Sequence, residues 1–400
     1  MPARLAARPR TRSRSRSRTR LSVAALSAAA ALCGLVQPAQ AAGTPPSPER
    51  NLQRELEELV ATPGGPPGVI ALLRRGNRTE VVRAGVADVE TGRPPRATDH
   101  MRLASVAKAY SGAVALRLVD RGVLRLDDTI GKWLPALPAD WHRVKLRQLL
   151  NHTSGLPDYT SAPRFLEILR ADPRHHFDSR RLLDFVADQD LAFTPGSRYA
   201  YSNSDNIAVA LMAEAATGRR YERLLEQQVY RPLDLRQTSL PEGYRLPRPY
   251  LHGYDVTPPA APEDISEVLS ASGIWASGAV VATPKDLASF ISGYTSRNYL
   301  SERTRRQQRT VVPGGASEPA GPGTNAAGLG IFRYTTRCGV VYGHTGNFPG
   351  YTQLAAATPD GKRSLTFSIN TQTNKTTKPE LLARVRAVQE DFVCALLRRH

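Results

Sequence analysis

The stretch Leu103-Ala104-Ser105-Val106-Ala107-Lys108 sets a hydroxyl and an amine three residues apart, with a helical run from Ala109 to Val119 behind them. Side chains three apart on a helix share a face, so Lys108 is expected beside Ser105. A serine hydroxyl is a weak nucleophile until a neighbouring base takes its proton. Burial penalises the charged form of a lysine, so a desolvated lysine can be that base. An arginine stays protonated and cannot. The chain has 47 Arg and only 7 Lys, which makes a lysine here informative. One S-x-x-K match is still a weak signal, and a solvated lysine on a surface helix is the competing reading.

Two later stretches carry compatible chemistry. Tyr201-Ser202-Asn203 is expected in a loop just before a helix from Asn206 to Thr217. A tyrosine hydroxyl near a lysine can relay a proton. An adjacent asparagine can hold both that lysine and a substrate carbonyl, although a polar helix cap by Ser204 would explain the same residues. Gly343-His344-Thr345-Gly346 follows an apolar strand. Glycine lets a backbone approach a ligand closely, and an edge strand there would pair with a substrate backbone. His344 on its own would more often be a satisfied histidine than a catalytic one.

In this order the three stretches resemble the penicillin-recognising serine hydrolases, whose neighbouring class A members carry S-x-x-K, S-D-N and K-T-G. Tyr-Ser-Asn and His-Thr-Gly resemble most the secreted actinomycete D-alanyl-D-alanine carboxypeptidases, within the family that also holds class C β-lactamases and related esterases. Gln148-Leu149-Leu150-Asn151-His152-Thr153-Ser154-Gly155-Leu156, Pro195-Gly196 and Thr283-Pro284-Lys285-Asp286-Leu287 agree with it.

The resemblance implies Ser105 as nucleophile, with Lys108 and Tyr201 as the pair that moves its proton. It implies Asn203 as a ligand of Lys108 and of the substrate amide, and an oxyanion hole made by the backbone N–H groups of Ser105 and Asn347. His344 would supply positive potential or a hydrogen bond, Thr345 would contact a substrate carboxylate or carbonyl, and Gly346 completes the motif. One position departs from the carboxypeptidases. Where they carry an arginine that grips the terminal carboxylate, this chain has Phe332, with Arg333 next, and strand neighbours face opposite sides. Tyr159, Phe165 and Trp275 are candidates to line the pocket, core packing being their commoner fate.

The function implied is an exported D-alanyl-D-alanine carboxypeptidase on cell-wall peptides, working through an acyl-enzyme. A β-lactamase-like esterase or D-amino-acid amidase with the same centre is the alternative. A penicillin-binding sensor domain without turnover is the alternative of another class. Peptidoglycan-type peptides or other acyl donors are the expected substrates, and β-lactams the expected acylating inhibitors. Neither a metal nor a cofactor is implied, and a monomer is expected.

The elements that must position these residues divide by composition. Residues 1–41 read as a signal peptide: eight Arg and no acid before an apolar run, closed by Ala39-Gln40-Ala41. Secretion, with no membrane anchor after cleavage, is the expectation. The chain is formally +18, and loss of those eight Arg leaves +10, spread along the sequence; a nucleic-acid partner is therefore not expected. Two cysteines remain after export, Cys338 and Cys394, and an even count in an oxidising compartment predicts that they pair.

Residues 42–49 read as a Pro/Ser linker and Arg50 to Ala61 as a helix. Gly68 to Arg74 and Thr79 to Ala87 read as a hairpin around Gly76-Asn77. From 105 to 264 the pattern is mostly helical. After Ser270 come strands at Gly328–Tyr334, Cys338–Tyr342, Tyr351–Ala357 and Ser364–Asn370, behind a Gly/Pro-rich loop at 311–328 that reads as mobile. A helix from Leu381 to Leu397 closes the chain. The fold expected is α/β. An antiparallel sheet built from both ends of the chain (50–104 and 265–400) is flanked by helices, with a central helical lobe (105–264) and a cleft between them as the default binding site.

Overall fold

The computed structural model describes residues 48–398. The expected signal peptide and all but the last two residues of the expected linker lie outside that range. Pro48 and Glu49 belong instead to the first helix, α1 (Pro48–Val60).

An eight-stranded antiparallel sheet is built from both ends of the chain, as its composition suggested. Its strands are β1 (Gly68–Arg75), β2 (Arg78–Gly85), β3 (Val312–Pro313), β4 (Thr324–Ala327), β5 (Phe332–Thr336), β6 (Gly339–Phe348), β7 (Tyr351–Ala357) and β8 (Arg363–Ile369), in the order β2-β1-β8-β7-β6-β5-β4-β3. The crossover that sets β8 beside β1 closes the chain on itself, pairing Val69 with Ile369 and Arg75 with Arg363.

Alternation gives the sheet two apolar faces. Val69, Ala71, Leu73, Leu365 and Phe367 pack with Leu52, Leu56 and Leu59 of α1 and with Val385 and Phe392 of α5 (Pro379–Leu397). The opposite face is covered by α4 (Pro284–Thr295), where Ser364 Oγ donates to the Ala288 carbonyl, and by the helical region. The centre of that region is α2 (Ala107–Asp120) against α3 (Asn203–Thr217), joined by Asn206 Nδ2 donating to Ser111 Oγ at 2.6 Å. Nearly every residue of α2 is buried, the mark of a helix surrounded by protein. Gly112 lets it lie against the turn between β4 and β5: a Cβ there would come within 2.8 Å of the Gly330 Cα.

Several boundaries differ from expectation for physical reasons. The strand expected from Gly328 starts at Phe332, because Gly330 turns at φ +63° and the Gly328 N–H bonds the Ile331 carbonyl. Within the stretch expected to be mostly helical, Ser179–Val186 is a 3-10 helix, and the helix Tyr221–Leu225 relaxes into a π turn at Glu226–Tyr230. Cys338 sits in the two-residue turn between β5 and β6, not on a strand, and its disulfide to Cys394 ties that turn to α5. Among the described residues no helix is long and apolar enough to cross a membrane.

Candidate active site

Ser105 sits on a tight turn. Leu103 ends the short strand Met101–Arg102, Ala104 takes φ +51°, and a 3-10 turn over Ala104–Val106 runs straight into α2. A positive φ on a residue with a Cβ is strained backbone and persists only where its surroundings enforce it. β6 is part of what enforces it: a Cβ on Gly346 would lie 2.2 Å from the Leu103 carbonyl oxygen. Glycine in the third motif therefore lets the strand press against the turn that presents the serine.

Lys108 is 1 % exposed, and its Nζ lies 3.1 Å from Ser105 Oγ, 2.7 Å from Asn203 Oδ1 and 2.8 Å from the Ser277 carbonyl oxygen. Burial pushes its pKa down to about 7, against the opposing pull of Asp158 and Asp205. A neutral amine has two N–H bonds and one lone pair. The Ser277 oxygen can only accept. Asn203 Oδ1 is likewise an acceptor, because its Nδ2 is committed to donating to Asp158 Oδ2 and Thr160 Oγ1. Both N–H bonds are thus claimed, and the lone pair is left for the Ser105 hydroxyl. That is the arrangement of a general base on a nucleophile.

Asn203 is the first residue of α3, rather than lying in a loop before a helix at Asn206, and Ser202 takes the N-cap position. Ser204 does not cap the helix; its Oγ donates to the Pro157 carbonyl. Tyr201 lines the same cavity as Ser105; its hydroxyl is buried near the Ser105 hydroxyl and closes no hydrogen bond of good geometry. Catalytic contacts often tighten only when substrate is bound. Lys108 Nζ stands 5.0 Å from the Tyr201 ring centroid. Burial raises the pKa of this phenol, so it is a proton donor at neutral pH.

Behind Tyr201 lies a buried platform. His152 packs against its ring, tilted by 40° with the centroids 4.5 Å apart, and His152 Nδ1 meets Asp205 Oδ2 at 2.7 Å. Burial lowers His152 to about 3, keeping it neutral, and pushes Asp205 up.

The third motif departs from its expected role. His344 is 1 % exposed, donates from Nδ1 to the Thr345 carbonyl at 2.6 Å and packs against Phe332. Burial, with Lys108 and His152 nearby, lowers its pKa well below the usual range, so it supplies no positive charge. Thr345 is equally buried: its Oγ1 donates to the Pro319 carbonyl at 2.5 Å and meets Ser317 Oγ. Neither side chain reaches the cavity. The segment around Ser317 comes from the loop expected to be mobile; instead it is fastened to the Thr345 side chain.

Asn347 does line the cavity with Ser105. β5 stops pairing with β6 at Gly343, so β6 runs on bonded to β7 alone. The alternation of an antiparallel pair turns the Asn347 backbone away from β7 and toward that open edge. Phe332, Arg333, Tyr159, Phe165 and Trp275 are all absent from the cavity wall. Tyr159, Phe165 and Trp275 are core residues.

The cavity measures about 300 Å³. A groove of about 1070 Å³, lined by Tyr254, Thr371 and Lys378 among others, contains neither Ser105 nor Tyr201. Sequence reasoning missed Asp158, which accepts from Asn203 N and Nδ2 through Oδ2 and from Thr160 N and Oγ1 through Oδ1, and the Ser277 carbonyl. Asp158-x-Thr160 is a readable capping turn; a backbone carbonyl leaves no mark in a sequence.

A nucleophile paired with a buried lysine on this sheet invites comparison with known proteins. The family model described as Beta-lactamase matches residues 52–390. The chain belongs to that family.

It is 24 % identical over 338 residues to Penicillin-binding protein 4* of Bacillus subtilis (strain 168), covering 80 % of this chain and 72 % of that protein. It is 34 % identical over 195 residues to Esterase EstB of Burkholderia gladioli, 45 % of this chain and 50 % of that protein. Among solved structures it resembles a D-stereospecific amidohydrolase from Streptomyces sp. at a TM-score of 0.72 and 28 % identity, over 84 % of this chain and 98 % of that one. The chain is a serine hydrolase of the Beta-lactamase family, whose members include proteins named as carboxypeptidases, D-aminopeptidases and amidases.

Proposed function

We propose that this chain is an exported serine amidohydrolase that acylates Ser105 with small amide, peptide or ester acyl donors. The observation that carries the reading is the Lys108 amine, both of whose N–H bonds are claimed by Asn203 and Ser277 while its lone pair faces Ser105.

In acylation Ser105 Oγ bonds the substrate carbonyl carbon as its proton passes to Lys108. The N–H groups of Ser105 and Asn347 hold the oxyanion. The C–N bond then breaks, and the leaving amine takes a proton from the Lys108–Tyr201 pair. Water, activated by the same pair, splits the ester and returns the serine. Loss of one oxyanion donor typically costs about a hundred- to a thousandfold.

Penicillins present a strained amide to the same serine and are expected to acylate it. Intact mass after incubation with a fluorescent penicillin tests the reading. One adduct on the wild type and none on Ser105→Ala is expected; an adduct of equal yield on Ser105→Ala refutes it.

Strict D-alanyl-D-alanine carboxypeptidase activity is the second reading, favoured by the motif set. It needs a cation for the terminal carboxylate, and the side chains lining the cavity include no Arg, Lys or His. Release of D-alanine from a D-Ala-D-Ala peptide, faster than hydrolysis of a residue amide, would favour it instead.

A further inference from the structure

We propose that Glu318 binds the free ammonium of the substrate's reacting residue, so that the enzyme selects amino-acid amides and peptide N-terminal residues over N-acylated donors. This rests on the acyl-enzyme reading above and names its substrate class.

Two carboxylates line the cavity, Asp158 and Glu318. Asp158 is spent. Its Oδ1 accepts from Thr160 N and Oγ1, and its Oδ2 from Asn203 N and Nδ2, all between 2.8 and 3.1 Å. Glu318 has one partner among the described residues, Lys375 Nζ at 3.6 Å, with the two side chains 67 % and 81 % exposed. Such a solvated pair holds its members weakly, and a substrate ammonium delivered to the cavity displaces it readily. Glu318 is also near enough for its charge to act on the Tyr201 hydroxyl.

The backbone on both sides of Glu318 is anchored. Tyr199 Oη donates to the Ala316 carbonyl at 2.6 Å, and Thr345 Oγ1 to the Pro319 carbonyl at 2.5 Å. Fixed backbone on both sides leaves only the Glu318 side chain to be ordered on binding.

The same anchoring limits what a longer acyl chain can gain: along the open edge of β6 the Thr345 hydroxyl is already engaged by Ser317 and Pro319 and offers such a chain no hydrogen bond. The cavity, at about 300 Å³, is at the small end for ligand sites. An amino acid that offers its carbonyl to Ser105 brings its free amine into the space that Glu318 lines.

The test is kcat/KM for D-alanine p-nitroanilide and for its N-acetyl analogue, on wild type, Glu318→Gln and Glu318→Lys, each preparation also labelled with fluorescent penicillin. The wild type should favour the free amine at least tenfold. An ion pair on a carboxylate this exposed supports a fall of about two- to fivefold in that ratio for Glu318→Gln, mostly through KM, and more for Glu318→Lys. A wild type that prefers the N-acetyl substrate, that cleaves neither while Ser105 is labelled, or whose ratio is unmoved by Glu318→Gln overturns the proposal. Failure of Ser105 to label at all would bring down the acyl-enzyme reading itself.

Discussion

Lys108 makes the sharpest prediction, because its pKa sets both a rate and a stability. A free lysine near 10.4 is neutral in about one molecule in 2,500 at pH 7. At about 7 the buried amine is neutral in half of them, roughly a thousandfold enrichment of the base form. If that form takes the Ser105 proton, acylation must rise tenfold per pH unit up to about 7 and then level. At pH 5 it should be about a hundredfold below the plateau. Stability carries the same signature. The folded pKa is depressed from 10.5 to about 7, so between these values the unfolded chain binds the extra proton. Stability therefore falls as the pH drops from about 10.5 to 7, by up to about 1.4 kcal/mol per unit, and this contribution is flat below 7. At pH 7 the buried amine costs on the order of 4 kcal/mol relative to an unshifted one. Lys108→Met should lose a factor of about a hundred to ten thousand in acylation. The difference between wild-type and variant stability should grow with pH across 7.5–10. Stopped-flow acylation by a chromogenic β-lactam from pH 5 to 9, with denaturant titrations over pH 6–10, reads both. A flat acylation profile between pH 5.5 and 8, or a variant keeping a tenth of wild-type activity, would refute the argument.

Four further outcomes follow from the same geometry. Asp158→Asn removes a negative charge that raises the Lys108 pKa, so the acid limb of the pH profile should move to lower pH; a limb moved upward contradicts it. Asn203→Ala deprives Lys108 of one acceptor and frees the amine to turn from Ser105, and acylation should fall about a hundredfold by the same stopped-flow assay. Gly346→Ala sets a Cβ 2.2 Å from the Leu103 carbonyl and should displace the Ser105 turn, costing about a hundredfold in acylation together with a lower melting temperature. The Cys338–Cys394 disulfide spans 56 residues, and loop-closure entropy predicts a loss of about 4 kcal/mol in denaturant stability for the Cys338→Ser/Cys394→Ser double variant; no change would mean the loop is already constrained in the unfolded chain.

What the sequence disclosed was what local spacing controls. Ser105 and Lys108 are a helical three apart, the β1–β2 hairpin announces itself at Gly76-Asn77, and the final helix shows its stripe. Each of those depends on neighbours in the chain. His344 and Thr345 stood in the right motif, yet their side chains are settled by partners brought from elsewhere: Phe332 against the imidazole, and Ser317 and Pro319 against the hydroxyl. A strand can be recognised from its alternation, but whether its edge is open depends on a loop some thirty residues away, whose Gly/Pro content reads as mobility. The charge of the cavity follows the same rule. The sequence pointed to a missing arginine at Phe332, and the structure adds that His344 is neutral and that Glu318 stands at the wall. The nucleophile and its base were written in one local motif, while Asn203 and Ser277, which aim that base, come from far along the chain. The groups proposed to choose the substrate come from segments that only the folded chain brings together, which is why a nearly complete motif set pointed to a carboxypeptidase while the proposed role of Glu318 points to an amine.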